Sequence, residues 1–234
     1  TSILGTERIY AGVLTMPVEV LKPAVIRPHW THGGLGIAAV DAEGDPAGLI
    51  GLFAAGQVPV RPYADWQAMK WSKLMVDLLT NAIPAILDSP VDQIYGDFKL
   101  YHLERAALRE ACAVASKIRR KLVPLPGYRV PLLVWAMCRL PPRLAYPIFR
   151  RVAVESRGTS LSPLHRDLTC GRKKSEVEYL NGAVVRAGQR LGVPVPVNDM
   201  ICQTLIGIAS SEIEWDQYHG QAQRLIHHAQ TATS

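Results

Sequence analysis

The spacing of apolar residues changes once along this chain, near Tyr63, and that change constrains the fold more than any other feature. Before it, Arg8–Leu14, Ala24–His29 and Leu35–Val40 alternate or are rich in β-branched residues, with Pro and Gly between them. Such runs predict short strands, whose side chains face opposite sides with a period of two. Asp45-Pro46 predicts the start of a short helix reaching Ala55, with the aspartate as cap and the proline at the first helical position. Val58–Arg61 predicts a last strand. From Asp65 onward the period is helical. Trp66, Met69, Leu74, Leu78, Ala82, Ala85 and Ile86 predict one long amphipathic helix ending near Leu87, and Leu100–Leu122 predicts a second. After the connection PLPGYRVP, Leu132–Val154 predicts helix interrupted by Pro141-Pro142 and Pro147. A small-residue loop, Ser156–Ser162, precedes helices expected near Leu164–Thr169, Lys174–Leu191 and Asp199–Trp215, and the tail from Asp216 is polar and expected to be loose at its end. The fold class expected is mainly α, with a partial α/β edge over 1–63 and a helical domain over 64–234.

Charge and composition narrow the class. The 234 residues are 48% hydrophobic and carry a net charge of +6, a balance that suits anionic ligands such as carboxylates or phosphates. The basic clusters Lys117–Lys121 and Gly171–Lys174 lack interleaved aromatics and any DNA-binding module pattern, which argues against a nucleic-acid partner. The longest apolar stretch, Val130–Leu140, is too short to span a bilayer, so no membrane partner is expected. Cys112, Cys138, Cys170 and Cys202 form no CxxC pair and read as reduced thiols of a cytoplasmic protein. His29-Trp30-Thr31-His32 is an HxxH without a third ligand at useful spacing, so no metal site is expected. The start at Thr1, without Met, reads as that of a fragment or a processed product.

Two constellations could carry chemistry. Lys73, Asp77 and Asn81 are spaced i, i+4, i+8, which on an uninterrupted helix of about 3.6 residues per turn places a cation, a carboxylate and an amide on one face. On spacing alone this is equally the pattern of a solvated stripe with one weak ion pair. The second runs from Ser162 through Pro163, Leu164, His165, Arg166 and Asp167 to Ser175-Glu176, where a glutamate at a helix start also suits the helix dipole without any chemistry. Beyond it, Val177, Leu180, Val184, Val185 and Leu191 recur at helical spacing, Gly192 stops that helix, Pro194 and Pro196 keep it stopped, and Asn198 is placed to cap the next one.

These motifs resemble those of the ketopantoate reductase (2-dehydropantoate 2-reductase) family. Ser175–Asn198 is similar to its C-terminal signature, [ST]-E-x-[DE]-x-[LI]-N-G followed by G-[IV]-x-x-P-x-N, and Trp71-Ser72-Lys73-Leu74 with Asn81 resembles its W-x-K-L-x-x-N-x-x-x-N helix. The resemblance implies a helical C-terminal domain of the 6-phosphogluconate-dehydrogenase-like type, preceded over 1–63 by the end of an NADP-binding, Rossmann-like domain. It implies NADPH-dependent reduction of a 2-oxo acid, in pantothenate biosynthesis. Lys73 then takes the position of the catalytic acid and Glu176 that of its catalytic carboxylate. Asn81 and Ser162 become substrate-binding residues, with Pro163 the adjacent register for the serine. Asp77 stands where the family pattern has asparagine, which sets a negative charge beside an approaching carboxylate.

The same resemblance implies that NADPH is bound mainly by a domain largely absent here, so that cofactor-binding residues are unknown. Gly34-Leu35-Gly36-Ile37-Ala38-Ala39 matches GxGxxA, but it lies in β-like sequence with no long helix after it, so a phosphate loop is not expected there. Two rival functions stay open: a non-catalytic helical interaction or dimerisation module, and a family oxidoreductase acting on another carbonyl. Leu132–Phe149, apolar on several sides, is either buried core or the interface of a homodimer.

Overall fold

The computed structural model describes residues 5, 9–28, 33–41, 43–157 and 161–233. His29-Trp30-Thr31-His32 lies outside the described residues. The chain divides into two compact units: Thr1–Leu74 with Arg120–Leu133, and Met75–Arg119 with Val134–Ser234.

The first unit contains the strands. β1 (Tyr10–Leu14) pairs antiparallel with β4 (Leu35–Ala39), and β4 pairs parallel with β5 (Val60–Pro62), in the order β1-β4-β5. Ala11 and Val13 are buried at alternate positions of β1, whereas Gly36, Ile37 and Ala38 of β4 are buried in succession, so β4 is covered on both faces. β2 (Val18–Lys22) and β3 (Val25–Pro28) form a separate hairpin. The composition does not predict β2, because every one of its residues is exposed and no buried face imprints a pattern. α1 (Ala47–Ala55) follows; the Asp45 side chain accepts from Ala47 N at 2.9 Å, but Pro46, one residue later than expected, is the cap position.

The segment 120–133 belongs to this unit through identifiable bonds. Thr15 Oγ1 donates to Pro126 O (2.8 Å), Tyr63 Oη donates to Pro124 O (2.7 Å), and Val123 N donates to Ser72 Oγ (2.7 Å). Gly36 is required in β4: a Cβ there would come within 2.7 Å of Val13 Cγ2 and 2.9 Å of the Tyr63 ring.

α2 (Trp66–Asp77) crosses the division between the units. It does not continue to Leu87 as its period predicts. The chain turns over 78–81, with Thr80 at φ 56°, and resumes as α3 (Ala82–Ile86). Pro84 has no N–H to give the Thr80 carbonyl four residues back, and the buried carboxylate of Glu104 accepts the Thr80 amide through Oε1 at 2.5 Å, so both sides of Thr80 leave the helical ladder.

The second unit is helical: α4 (Val91–Ile94), α5 (Phe98–Lys117), α7 (Pro142–Arg157), α8 (Pro163–Thr169), α9 (Asn181–Leu191), α10 (Pro196–Ala209) and α11 (Ala222–Ala232). α6 (Val130–Arg139) enters it from the first unit. Its core gathers on α5 and α10, where Leu100, Tyr101, Leu108, Ile201 and Leu205 are almost fully buried. α5 stops at Lys117 rather than Leu122, and Arg119 just beyond it adopts φ 54°.

Other expectations are corrected here. α7 runs through Arg157, so helix occupies the start of the expected loop at Ser156–Ser162. The helix expected from Lys174 begins only at Asn181; before it, Ser175 caps a 3-10 turn, Glu176–Glu178, by accepting from Val177 N at 3.3 Å. Gly192 does end α9, in the left-handed conformation at φ 63°. Asn198 is not a cap: α10 starts at Pro196, and Asn198 lies buried inside its first turn. The polar tail also carries a helix that was not expected, α11, which buries Leu225 and Ala229.

Candidate active site

Lys73 and Asp77 sit one turn apart on α2, both half-buried, and neither side chain stands free. Lys73 belongs to the first unit and Asp77 to the second. Because the helix breaks over 78–81, Asn81 does not continue the Lys73–Asp77 stripe. It occupies the residue before α3 and turns back, its Nδ2 donating to Asp77 O at 3.3 Å, so it closes the C-terminus of α2.

The other end of the Asn81 amide reaches far along the chain. Its Oδ1 accepts from Leu164 N at 3.4 Å, in the first turn of α8. Ser162 caps that same helix, its Oγ accepting from His165 N at 3.1 Å. Asn81 and Ser162 are therefore gathered at one helix start, with relative exposures of 5% and 0%. Among the described residues, their bonds leave the Ser162 hydroxyl proton and one Asn81 N–H as donors, the chemistry that recognises a carboxylate or a hydroxyl.

Glu176 is placed differently. It is exposed on the 3-10 turn, and among the described residues no hydrogen bond joins its side chain to Asn81 or Ser162. Of the predicted site residues, the second unit thus brings together Asp77, Asn81 and Ser162 and leaves Glu176 outside that hydrogen-bonded group.

Sequence reasoning missed the residues that hold this group in place. His165, 3% exposed, pairs through Nε2 with the Asp88 carboxylate, while its buried Nδ1 has no partner among the described residues. The second oxygen of Asp88 meets His219 Nδ1 at 3.3 Å. Trp215 stacks obliquely near the His165 ring, with centroids 5.3 Å apart, and its indole N–H is shared between Ala85 O and Ile86 O at the end of α3. Asp88 and His165 lie 77 residues apart, so no local spacing signals the pair.

A second buried polar centre explains the Pro-x-Asn motif. Asn198 Nδ2 donates to Ala107 O (2.8 Å) and Glu110 Oε2 (2.7 Å), and its Oδ1 accepts from Asn181 Nδ2 (3.0 Å). Glu110 also accepts from Val197 N and Asn198 N, each at 2.9 Å, and so caps α10 from a different helix. Burial pushes the Glu110 carboxyl above the usual range, although those donors oppose the shift.

The residues described do not form a nucleotide cradle. Gly34 and the GxGxxA match lie at and within β4, where a Cβ on Gly34 would come within 2.6 Å of Pro59 O. These glycines allow close backbone packing, and no strand, glycine loop and helix follow one another there to receive a pyrophosphate. Among the described residues no cluster of three metal-ligating side chains occurs, and no helix is long and apolar enough to cross a membrane.

A mainly helical chain with a partial sheet and a buried polar group at a helix start is the class these observations define. The family model for the ketopantoate reductase PanE/ApbA C-terminal region matches residues 65–209, and the chain belongs to that family. It is 31% identical over 150 residues to a 2-dehydropantoate 2-reductase of Pyrobaculum aerophilum, a match covering 64% of this chain and 46% of that protein. A PanE/ApbA family ketopantoate reductase from Ralstonia eutropha superposes with a TM-score of 0.67 at 28% identity, over 87% of this chain and 60% of that one. D-mandelate dehydrogenase in complex with NADH shares the fold, with a TM-score of 0.69 at 17% identity, over 90% of this chain and 65% of that one. The chain thus spans about half to two thirds of the length of these relatives.

Proposed function

We propose that this chain is the substrate-side part of an NADPH-dependent reductase of 2-oxo acids, of the 2-dehydropantoate reductase type. The observation that carries the reading is the family match over 65–209, which includes the five residues assigned to the site. Residues 1–63 are assigned to the end of a nucleotide-binding domain and 64–234 to the helical domain. Cofactor binding is assigned mainly to residues beyond those described, and the chemistry that follows from this chain is on the substrate side.

Reduction of a ketone places negative charge on its oxygen. Lys73 is assigned the role of meeting that charge with its ammonium group and giving a proton from Nζ, as electrostatic stabiliser and general acid. Glu176 is the second catalytic residue. Asn81 and Ser162 hold the substrate's hydroxyl and carboxylate by donating hydrogen bonds, and Asp77 tunes which acid is accepted. Like-charge repulsion makes Asp77 disfavour a carboxylate placed directly against it.

A homodimer is the partner arrangement we propose. It is supported by the exposed apolar row Leu144, Ile148 and Val152 on α7, at relative exposures of 60%, 55% and 47%. The structure of a dimeric ketopantoate reductase from Staphylococcus aureus, 16% identical, shares the fold. The same row favours the alternative reading, a helical interaction module without catalysis.

The two readings separate in one experiment. The polypeptide carrying this chain is assayed for NADPH oxidation with 2-dehydropantoate and with a panel of other 2-oxo acids. Turnover of 2-dehydropantoate above the rest is expected. Turnover of none of them, by a folded and NADPH-binding protein, would leave the interaction module as the function.

A further inference from the structure

Two thiols on neighbouring helices of the second unit face each other. Cys112 on α5 and Cys138 on α6 are both partly exposed, and their Sγ atoms are 3.4 Å apart. A disulfide needs about 2.05 Å, so the sulfurs must close by about 1.4 Å, within the reach of small side-chain rotations.

The backbone at Cys138 is fixed independently of the thiols. The buried Arg105 guanidinium, also on α5, donates to Met137 O (2.5 Å), Cys138 O (3.3 Å) and Leu140 O (2.8 Å). Arg105 and Cys112 are two turns apart on α5, so one face of that helix holds both the backbone and the sulfur of Cys138.

The two sulfurs are chemically unequal. The hydrogen bond from Cys112 pulls the Cys138 thiol below the usual cysteine value, and Arg109, Arg105 and Arg139 assist against the cost of burial. The same bond, with burial, holds Cys112 protonated well above it. A thiolate beside a thiol is the arrangement in which one sulfur attacks an oxidant and the other resolves the product.

We propose that Cys112 and Cys138 are a reversible dithiol site that a hydroperoxide converts into an intramolecular disulfide. The Cys138 thiolate attacks one peroxide oxygen and the O–O bond breaks. Cys138 becomes a sulfenic acid, and the departing hydroxide takes up a proton as water. Cys112 then attacks the sulfenic sulfur. The S–S bond forms, hydroxide leaves, and the Cys112 thiol proton joins it as a second water. Two electrons pass from the two sulfurs to hydrogen peroxide, and a small dithiol reverses the change by exchange.

The bond has a topological consequence. The chain leaves the second unit after Arg119 and re-enters it at Val134. Cys112 and Cys138 stand on either side of that excursion, 26 residues apart, so the disulfide closes the excursion into a loop. Closing it restricts the unfolded chain and raises the melting temperature of the oxidised form.

The test is a peptide map of the native chain. The protein is treated with hydrogen peroxide, its free thiols are alkylated, and it is digested with trypsin without reduction. The expected product is Glu110–Lys117 linked to Val130–Arg139, about 2 Da lighter than the two thiol peptides together and separated again by dithiothreitol. In Cys112→Ser, dimedone is expected to trap Cys138 as its sulfenic acid, with no cross-link. Should that variant not fold, the wild-type map decides by itself. The proposal is overturned if Cys112 remains alkylatable while the exposed Cys170 is consumed, or if Cys138 proceeds to the sulfinic acid in the wild-type protein.

Discussion

Replacing Asn198 with alanine tests the packing account most sharply, because this side chain joins three helices and is completely buried. The substitution removes the donor to Glu110 Oε2, a bond to a carboxylate worth about 1.5–3 kcal/mol. It also removes a second donor from Ala107 O, which keeps its helical partner in α5, and strands the Asn181 amide, at about 1 kcal/mol each. Asn181 has no reserve, since its Oδ1 is already without a partner among the described residues. Glu110 keeps the Val197 and Asn198 amides, so α10 remains capped. The sum is about 4 kcal/mol, which for a chain of this size lowers the melting temperature by roughly 8–16 °C. Asn198→Asp separates this reasoning from a simple loss of volume. It sets a second carboxylate against Glu110 in a buried site, so it should melt below Asn198→Ala near neutral pH and recover toward it in acid. Thermal unfolding followed by far-UV circular dichroism reads both variants. A drop below about 3 °C for Asn198→Ala, or an Asn198→Asp variant as stable as wild type at neutral pH, would refute the reasoning.

Three further outcomes follow. Burial raises the Glu110 carboxyl above its ordinary value of 4.5, so the native state binds more protons than the unfolded one. The stability it contributes is fully present below that ordinary value and is lost as pH rises through the native one; urea midpoints of wild type against Glu110→Gln should diverge in that direction, and an opposite slope contradicts it. Arg105→Ala leaves three carbonyls at the end of α6 without their donor and should cost about 2–4 kcal/mol in urea unfolding, with Arg105→Lys recovering only part because an ammonium cannot span all three. In the polypeptide that carries this chain, Asp77→Asn should lower KM for a 2-oxo acid by about threefold or more as a like charge is removed, and an unchanged KM would detach Asp77 from the substrate.

Part of this architecture was legible in the residues. β1 follows from alternation, β3 and β4 from short apolar runs bounded by Pro and Gly, α8 from Ser162-Pro163, and the end of α9 from Gly192. What was not legible depended on distant partners. The break after Asp77 is fixed by Glu104 capturing the Thr80 amide, a partner 24 residues away; its local signal is Pro84, which cannot donate to the Thr80 carbonyl four residues back and which the helical period passes over. The first turn of α10 is capped by Glu110 from α5, which left Asn198 free to serve as a buried bridge instead of the cap its position suggested. α11 was missed because only Leu225 and Ala229 of it are buried, too few to imprint a period.

The candidate site is a set of expectations that the fold arranges only in part. Family motifs pointed to Lys73, Asp77, Asn81, Ser162 and Glu176, and the second unit gathers Asp77, Asn81 and Ser162. Their meeting depends on the Asn81–Leu164 bond across 83 residues, and on Asp88 and His165 behind it, none of which has a local signature.

If Lys73 supplies the acid of a carbonyl reduction, removing its ammonium group must slow turnover without unfolding the chain. The rate of NADPH oxidation with 2-dehydropantoate is compared between the wild-type polypeptide carrying this chain and its Lys73→Ala variant, with melting temperatures taken alongside. A loss of at least about 100-fold in turnover with the melting temperature preserved is expected; a rate within a few-fold of wild type would show that Lys73 is not that acid.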